Sequence, residues 1–173
     1  MRWLVDGYNV IRRSPELAER ERESLDSGRQ ALCRMLASAG GPDDYFVVVF
    51  DGAKGMRETS AARGVQVVFS SARERADDVL AAMARQGGVV VSNDRELRRA
   101  AARAGAITVG TDEFLLRLES AGRLTALAGD ADWAKDEDAE RPDSGPRKGN
   151  PRRLGKKARA AARALGRLGA APR

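Results

Sequence analysis

Three short apolar runs in this chain each give way, within three residues, to an aspartate. Trp3-Leu4-Val5 runs into Asp6-Gly7-Tyr8-Asn9, Tyr45-Phe46-Val47-Val48-Val49-Phe50 into Asp51-Gly52, and Val89-Val90-Val91 into Ser92-Asn93-Asp94. Uninterrupted apolar runs of this kind are expected of strands buried on both faces. Val65-Gln66-Val67-Val68-Phe69, ended by Ser70-Ser71, and Ala106-Ile107-Thr108-Val109 read as two more strands. Helical spacing fills the gaps. Pro15 to about Ala39 carries Leu17, Leu25, Leu32, Met35 and Leu36, and 74–86 carries Ala76, Val79, Leu80 and Met83. A third helix is expected from about Arg95 to Ala104, and a fourth, capped by Thr111 or Asp112, presents Phe114, Leu115 and Leu118.

Strands alternating with helices imply βαβ units, hence an α/β fold with a mainly parallel central sheet flanked by helices. In such sheets the loops at the C-terminal strand ends line the ligand crevice. Asp6, Asp51 and Asp94 are therefore expected on one edge of the sheet. A fourth acid, Asp77, comes from Arg75-Ala76-Asp77-Asp78 at a helix start, where the helix dipole favours negative charge.

What the chain lacks narrows the chemistry. It has no histidine, which excludes Ser-His-Asp and Cys-His catalysis and histidine-built zinc sites. Its one cysteine, Cys33, sits in an apolar stretch, reads as a small core residue and cannot form an intramolecular disulfide. Converging carboxylates repel unless a cation or protons neutralise them. Mg²⁺ or Mn²⁺ held by a few carboxylates and waters meets that need, polarises a phosphoryl oxygen and supplies a water-derived nucleophile. Phosphodiester hydrolysis is the natural reaction for such a site. No GxxxxGK[ST] loop is present. A phosphatase using Asp6 as nucleophile would commonly place a second acid two residues on, where Tyr8 stands.

Val5-Asp6-Gly7-Tyr8-Asn9-Val10-Ile11 resembles the opening motif of NYN domains, in particular the YacP-like group of small bacterial PIN-like proteins. Val48-Val49-Phe50-Asp51-Gly52, Glu74-Arg75-Ala76-Asp77-Asp78 and Val91-Ser92-Asn93-Asp94 follow in that group's order, so the resemblance spans residue 2 to about 120. It implies a PIN-like Rossmannoid fold and Mg²⁺- or Mn²⁺-dependent RNA cleavage; the group includes an endonuclease that cuts messenger RNA on the ribosome. Carried over by position, Asp6 and Asp77 would be the principal metal acids and Asp94 would complete the cluster. Asn9 would orient a water or a phosphate, and Asp51 is adjacent. PIN nucleases often use a further acid after the fifth strand, a neighbourhood where Asp112 lies and could equally cap a helix.

Each residue also has a plainer reading. Asp6-Gly7 is a common turn dipeptide, Asp77 compensates a helix dipole, and Asp94 caps the next helix. Asp78 points about 100° away from Asp77. Tyr8 is read as packing. Arg95, Arg98, Arg99 and Arg103 form a solvated helix face unless they border the site, where they would hold RNA phosphates.

Charge divides the chain further. Residues 1–122 carry 18 cationic and 18 anionic side chains, so the net +6 arises entirely from residues 123–173. The expected layout is a catalytic domain over 1–122, a flexible acidic linker over 123–151 and a basic, helical tail over 152–173. Lys148, Arg152, Arg153, Lys156, Lys157, Arg159 and Arg163 would bind RNA or the ribosome by phosphate attraction. No apolar run is long enough to span a bilayer, and a carboxylate at position 6 comes too soon for a secretory signal, so a cytoplasmic protein without a membrane partner is expected. The primary expectation is an RNA endonuclease; the alternative is a catalytically inactive RNA- or ribosome-binding adaptor of the same fold. The sequence does not indicate an oligomeric state.

Overall fold

The computed structural model describes residues 1–52, 59–71, 73–129 and 155–169. Six strands form one sheet: β1 (Arg2–Asp6), β2 (Tyr45–Phe50), β3 (Thr59–Ala62), β4 (Val65–Phe69), β5 (Val89–Val91) and β6 (Ile107–Val109). Their order is β3-β4-β2-β1-β5-β6. The five strands anticipated from apolar runs are mutually parallel, and the sixth, β3, lies antiparallel on β4 at one edge. Thr59-Ser60-Ala61-Ala62 has no large apolar residue, so periodicity had nothing to register there.

Seven helices are described: α1 (Gly7–Arg13), α2 (Pro15–Glu23), α3 (Leu25–Ala39), α4 (Ala76–Ala84), α5 (Arg95–Arg103), α6 (Thr111–Gly129) and α7 (Lys156–Arg167). The single helix expected from Pro15 to Ala39 is two. Ser24 is extended and its hydroxyl accepts from the Ser27 amide, ending α2 and capping α3. The pair folds back tightly because position 28 is glycine: a Cβ there would lie 3.0 Å from the Glu21 Cα. Asp6-Gly7, whose plainer reading was a turn, is the start of α1, which ends at Ser14, itself the cap of α2.

Strand side chains alternate between two cores. Trp3, Val5, Phe46, Val48 and Phe50 face Ile11, Leu32, Leu36, Phe114 and Leu118 from α1, α3 and α6. Leu4, Val47, Val49 and Val90 face Leu80, Leu97 and Ala101 from α4 and α5. The result is a three-layer α/β/α sandwich, and Cys33 lies buried within the first core as expected.

At the C-terminal end the helix expected in the basic tail is described over Lys156–Arg167. Helix α6 continues to Gly129, into the stretch expected as linker; residues 130–154, which include Lys148, Arg152 and Arg153, lie outside the described residues. Helix α7 is docked on the body rather than set apart. Ala164 and Leu168 are buried in the first core, α7 packs on edge strand β6, and Arg117 of α6 donates to the carbonyls of Leu165 and Leu168, each at 2.9 Å. Among the described residues no helix is long and apolar enough to cross a membrane.

Candidate active site

Parallel pairing brings the ends of β1, β2 and β5 to one edge, with Asp6 in register with Val49 and Val5 with Val91. Asp6, Asp51, Asp77 and Asp94, from four separate segments, meet there around an open cleft of about 420 Å³, together with Tyr8, Asn9, Asn93 and the cations Arg12, Arg13 and Arg75. The cleft is assembled by close approach at position 7, where a Cβ would sit 2.2 Å from the Phe50 ring. Only glycine lets α1 start directly behind Asp6 against the end of β2.

Asp6 is held at both oxygens. Oδ1 accepts from the Asn9 amide at 3.2 Å, which also caps α1, and Oδ2 accepts from the Ser92 hydroxyl at 3.1 Å. Burial pushes its carboxyl above the usual range; the Asn9 and Ser92 hydrogen bonds oppose this, and the charges of Asp77 and Asp51 add to it. Asp77 is raised as well, first by burial and then by Asp94, with Arg75 opposing and Asp51 and Asp78 adding. Its carboxylate takes no hydrogen bond among the described residues, and its one cationic neighbour is Arg75 at 3.9 Å. It is the least satisfied acid of the four.

Asp94 Oδ1 accepts from the amides of Glu96 and Leu97 at 2.7 and 2.8 Å, so it caps α5 while facing the cleft. Asp51 is more structural than its position suggested. Its Oδ1 accepts from the Ala76 amide at 2.8 Å and from the Ser70 hydroxyl at 3.3 Å, tying the end of β2 to the start of α4. Asn9 likewise braces the site: its side-chain oxygen accepts from the Asn93 amide at 3.1 Å and the Thr111 hydroxyl at 2.7 Å. That leaves the Asn9 amide NH₂, rather than its oxygen, for an incoming group. Asp78 accepts from the Arg75 amide at 3.2 Å as part of the α4 start. Asp112 does not join the acids; it pairs with Arg13 and Asn93, and the Arg13 hydrogen bond holds its carboxyl below the usual range.

Several contributors were not foreseen. Ser92, fully buried, donates to Asp6 and accepts from the Asp94 amide at 3.0 Å, linking two cleft acids. Tyr8, read as packing, packs edge-on against Phe50 and also lines the cleft, with Arg12 5.2 Å from its ring centre and Arg29 bonded to its hydroxyl. Arg12 and Arg13 escaped notice because α1 itself was not anticipated. Arg95, Arg98 and Arg99 do not line the acid cleft; they line a second groove with Arg103 and Lys157. Lys156, Arg159 and Arg163 are exposed on α7 outside both.

The donor set suits a hard cation, because every candidate ligand is oxygen and Asp77 has unshared acceptor capacity. Among the described residues no three acids stand close enough to form a ready-made metal cage. A small divalent ion that retains several waters and uses one or two carboxylates needs none.

Comparison with known proteins agrees with this architecture. The YacP-like NYN domain profile matches residues 3–141. The YacP protein of Bacillus subtilis strain 168 is 32% identical over 78 residues, 43% of this chain and 46% of that protein, so the aligned part spans about half the relative's length. The crystal structure of Rae1 (YacP) from Bacillus subtilis superposes with a TM-score of 0.65 at 25% identity, covering 75% of this chain and 80% of that one. A mutant of the same protein gives 0.63 at 23%, covering 79% and 86%. The chain belongs to the YacP-like NYN domain family.

Proposed function

We propose that the acid cleft is the active site of a ribonuclease that hydrolyses RNA phosphodiesters with Mg²⁺ or Mn²⁺. The observation that carries this reading is the gathering of Asp6, Asp51, Asp77 and Asp94 in one cleft that also has cations at its rim. Family membership supports it. Burial first, and the neighbouring carboxylates second, hold the carboxyls of Asp6 and Asp77 above the usual range, as is common at functional sites. A bound divalent cation would neutralise that charge, polarise the phosphoryl group and lower the pKa of water.

Asp77 and Asp6 would be its principal protein ligands, with Asp94 completing the set through the oxygen not spent on the α5 cap. Asp51 contributes charge and holds α4, and with it Asp77, in place. Asn9 donates from its amide and keeps the β1 and β5 loops together. Arg12 and Arg75, at the rim, attract the phosphate backbone and orient it over the acids.

The absence of three tightly grouped acids among the described residues favours a second reading, a non-catalytic RNA- or ribosome-binding adaptor. Labelled single-stranded RNA incubated with Mn²⁺, Mg²⁺ or EDTA separates the two. Metal-dependent products from the wild type, reduced on the order of 10²-fold or more in Asp77→Asn, are expected of the nuclease. If neither protein cuts, the assay is repeated on translating ribosomes; cleavage there assigns a ribosome-dependent nuclease, and none assigns the adaptor.

A further inference from the structure

The second groove runs along α5, the helix that starts directly after Asp94. Its walls are α5, contributing Arg95, Arg98, Arg99 and Arg103, and α7, contributing Lys157, with Thr108 of edge strand β6 between them. Arg95, Arg99, Arg103 and Lys157 are exposed and Arg98 is half-buried. None of the five has an ion-pair partner among the described residues. Like charges on facing walls of a groove favour an anion between them.

Helix geometry gives the groove a length and a direction. From Arg95 to Arg103, α5 rises about 12 Å, at roughly 1.5 Å per residue. Its first residue follows Asp94 directly, so the cationic stripe begins at the lip of the acid cleft and leads away from it. The groove's volume, about 460 Å³, falls in the range of small-molecule sites. The second wall exists only because α7 is docked through Ala164, Leu168 and Arg117.

We propose that α5 and the docked α7 form a phosphate-gripping track for single-stranded RNA, holding the nucleotides that flank the bond presented to the acid cleft. This rests on the ribonuclease reading for its substrate, but its test does not require cleavage. The C-terminal basic segment, on this view, works as a wall of the binding site rather than as a tether.

The test is fluorescence anisotropy of a labelled 12-nucleotide single-stranded RNA on the full chain, in EDTA, over a series of salt concentrations. Arg99→Ala with Arg103→Ala, and separately Lys157→Ala, are expected to weaken binding several-fold and to flatten the salt dependence by about 0.7 per cation removed. Lys157→Arg restores binding, and Arg34→Ala, an exposed cation on α3, leaves it unchanged. Variants that keep the wild-type circular dichroism and Tm but bind RNA with unaltered affinity and salt slope would overturn the proposal. So would equal competition by a duplex of the same sequence or by polyglutamate, which would mean that the groove does not select a nucleic acid strand. Binding that depends on the groove while no RNA is ever cut refutes the nuclease and leaves the track standing; cutting with no groove dependence does the reverse.

Discussion

At the scale of single residues, the cleft depends on a serine that does not line it. Ser92 satisfies Asp6 Oδ2 and the Asp94 amide at once, so Ser92→Ala strands two part-buried polar groups at the cleft. The expected cost is about 1–3 kcal/mol in urea denaturation. Mn²⁺ affinity, read by isothermal titration, should fall on the order of 10–100-fold, as it does when groups that orient metal ligands are lost. Asp77 should behave in the opposite way toward stability. Its carboxyl is raised above 3.8, so its ionised form costs stability that appears as pH rises through the raised value and persists at neutral pH. Asp77→Asn should therefore raise the Tm of the metal-free protein, by less than the roughly 2–4 °C that about 1 kcal/mol gives at this size. Mn²⁺ should then stabilise the wild type more than the variant. At Cys33, burial pushes the thiol up to about 11. The native protein should resist iodoacetamide at pH 8 and react once unfolded in urea, which mass spectrometry can follow.

Among the elements, α1 was not anticipated, and α7 was anticipated as a helix without its partner on the body. Helix α1 has only seven residues, too short for a hydrophobic period to declare itself. Its existence depends on Asp6 capping it and on Gly7 fitting against Phe50, and the second is a contact between segments far apart in sequence. The apolar spacing of α7 was legible over Ala161, Leu165 and Leu168, but a spacing does not say what covers it. Arg117 donating to the last carbonyls of α7 supplies the missing partner, acting as a cap from another helix. Arg117→Ala should loosen α7 at a cost of about 1–3 kcal/mol. Hydrogen exchange should show lost protection in α7 while β1 and β2 keep theirs.

Across the whole molecule, one buried carboxylate joins the two ends of the described chain. Asp44 Oδ1 accepts from the Trp3 indole at 3.0 Å and lies 3.6 Å from the terminal amine of Met1. Its Oδ2 accepts from the amides of Gly41 and Gly169, both at 3.0 Å. Asp44→Ala would leave those donors without their shared acceptor next to the end of α7. The expected loss is about 3–5 kcal/mol of unfolding free energy, measured in urea, and with it the docking of α7 that the cationic groove requires.

Local chemistry determined much here. Short apolar runs bounded by turn residues read as strands buried on both faces, and helices between them make those strands parallel. Placing acids at the strand ends then put Asp6, Asp51 and Asp94 on one edge with no knowledge of a single distance. Tertiary structure alone decided how those acids are employed. Whether Asp51 binds an amide or stands free, whether Asn9 offers its oxygen or its NH₂, and which arginines face the acids are set by contacts between segments dozens of residues apart. Hydrogen-bond capacity shared across such contacts leaves no period and no spacing in the chain, so it becomes visible only when the fold brings the partners together.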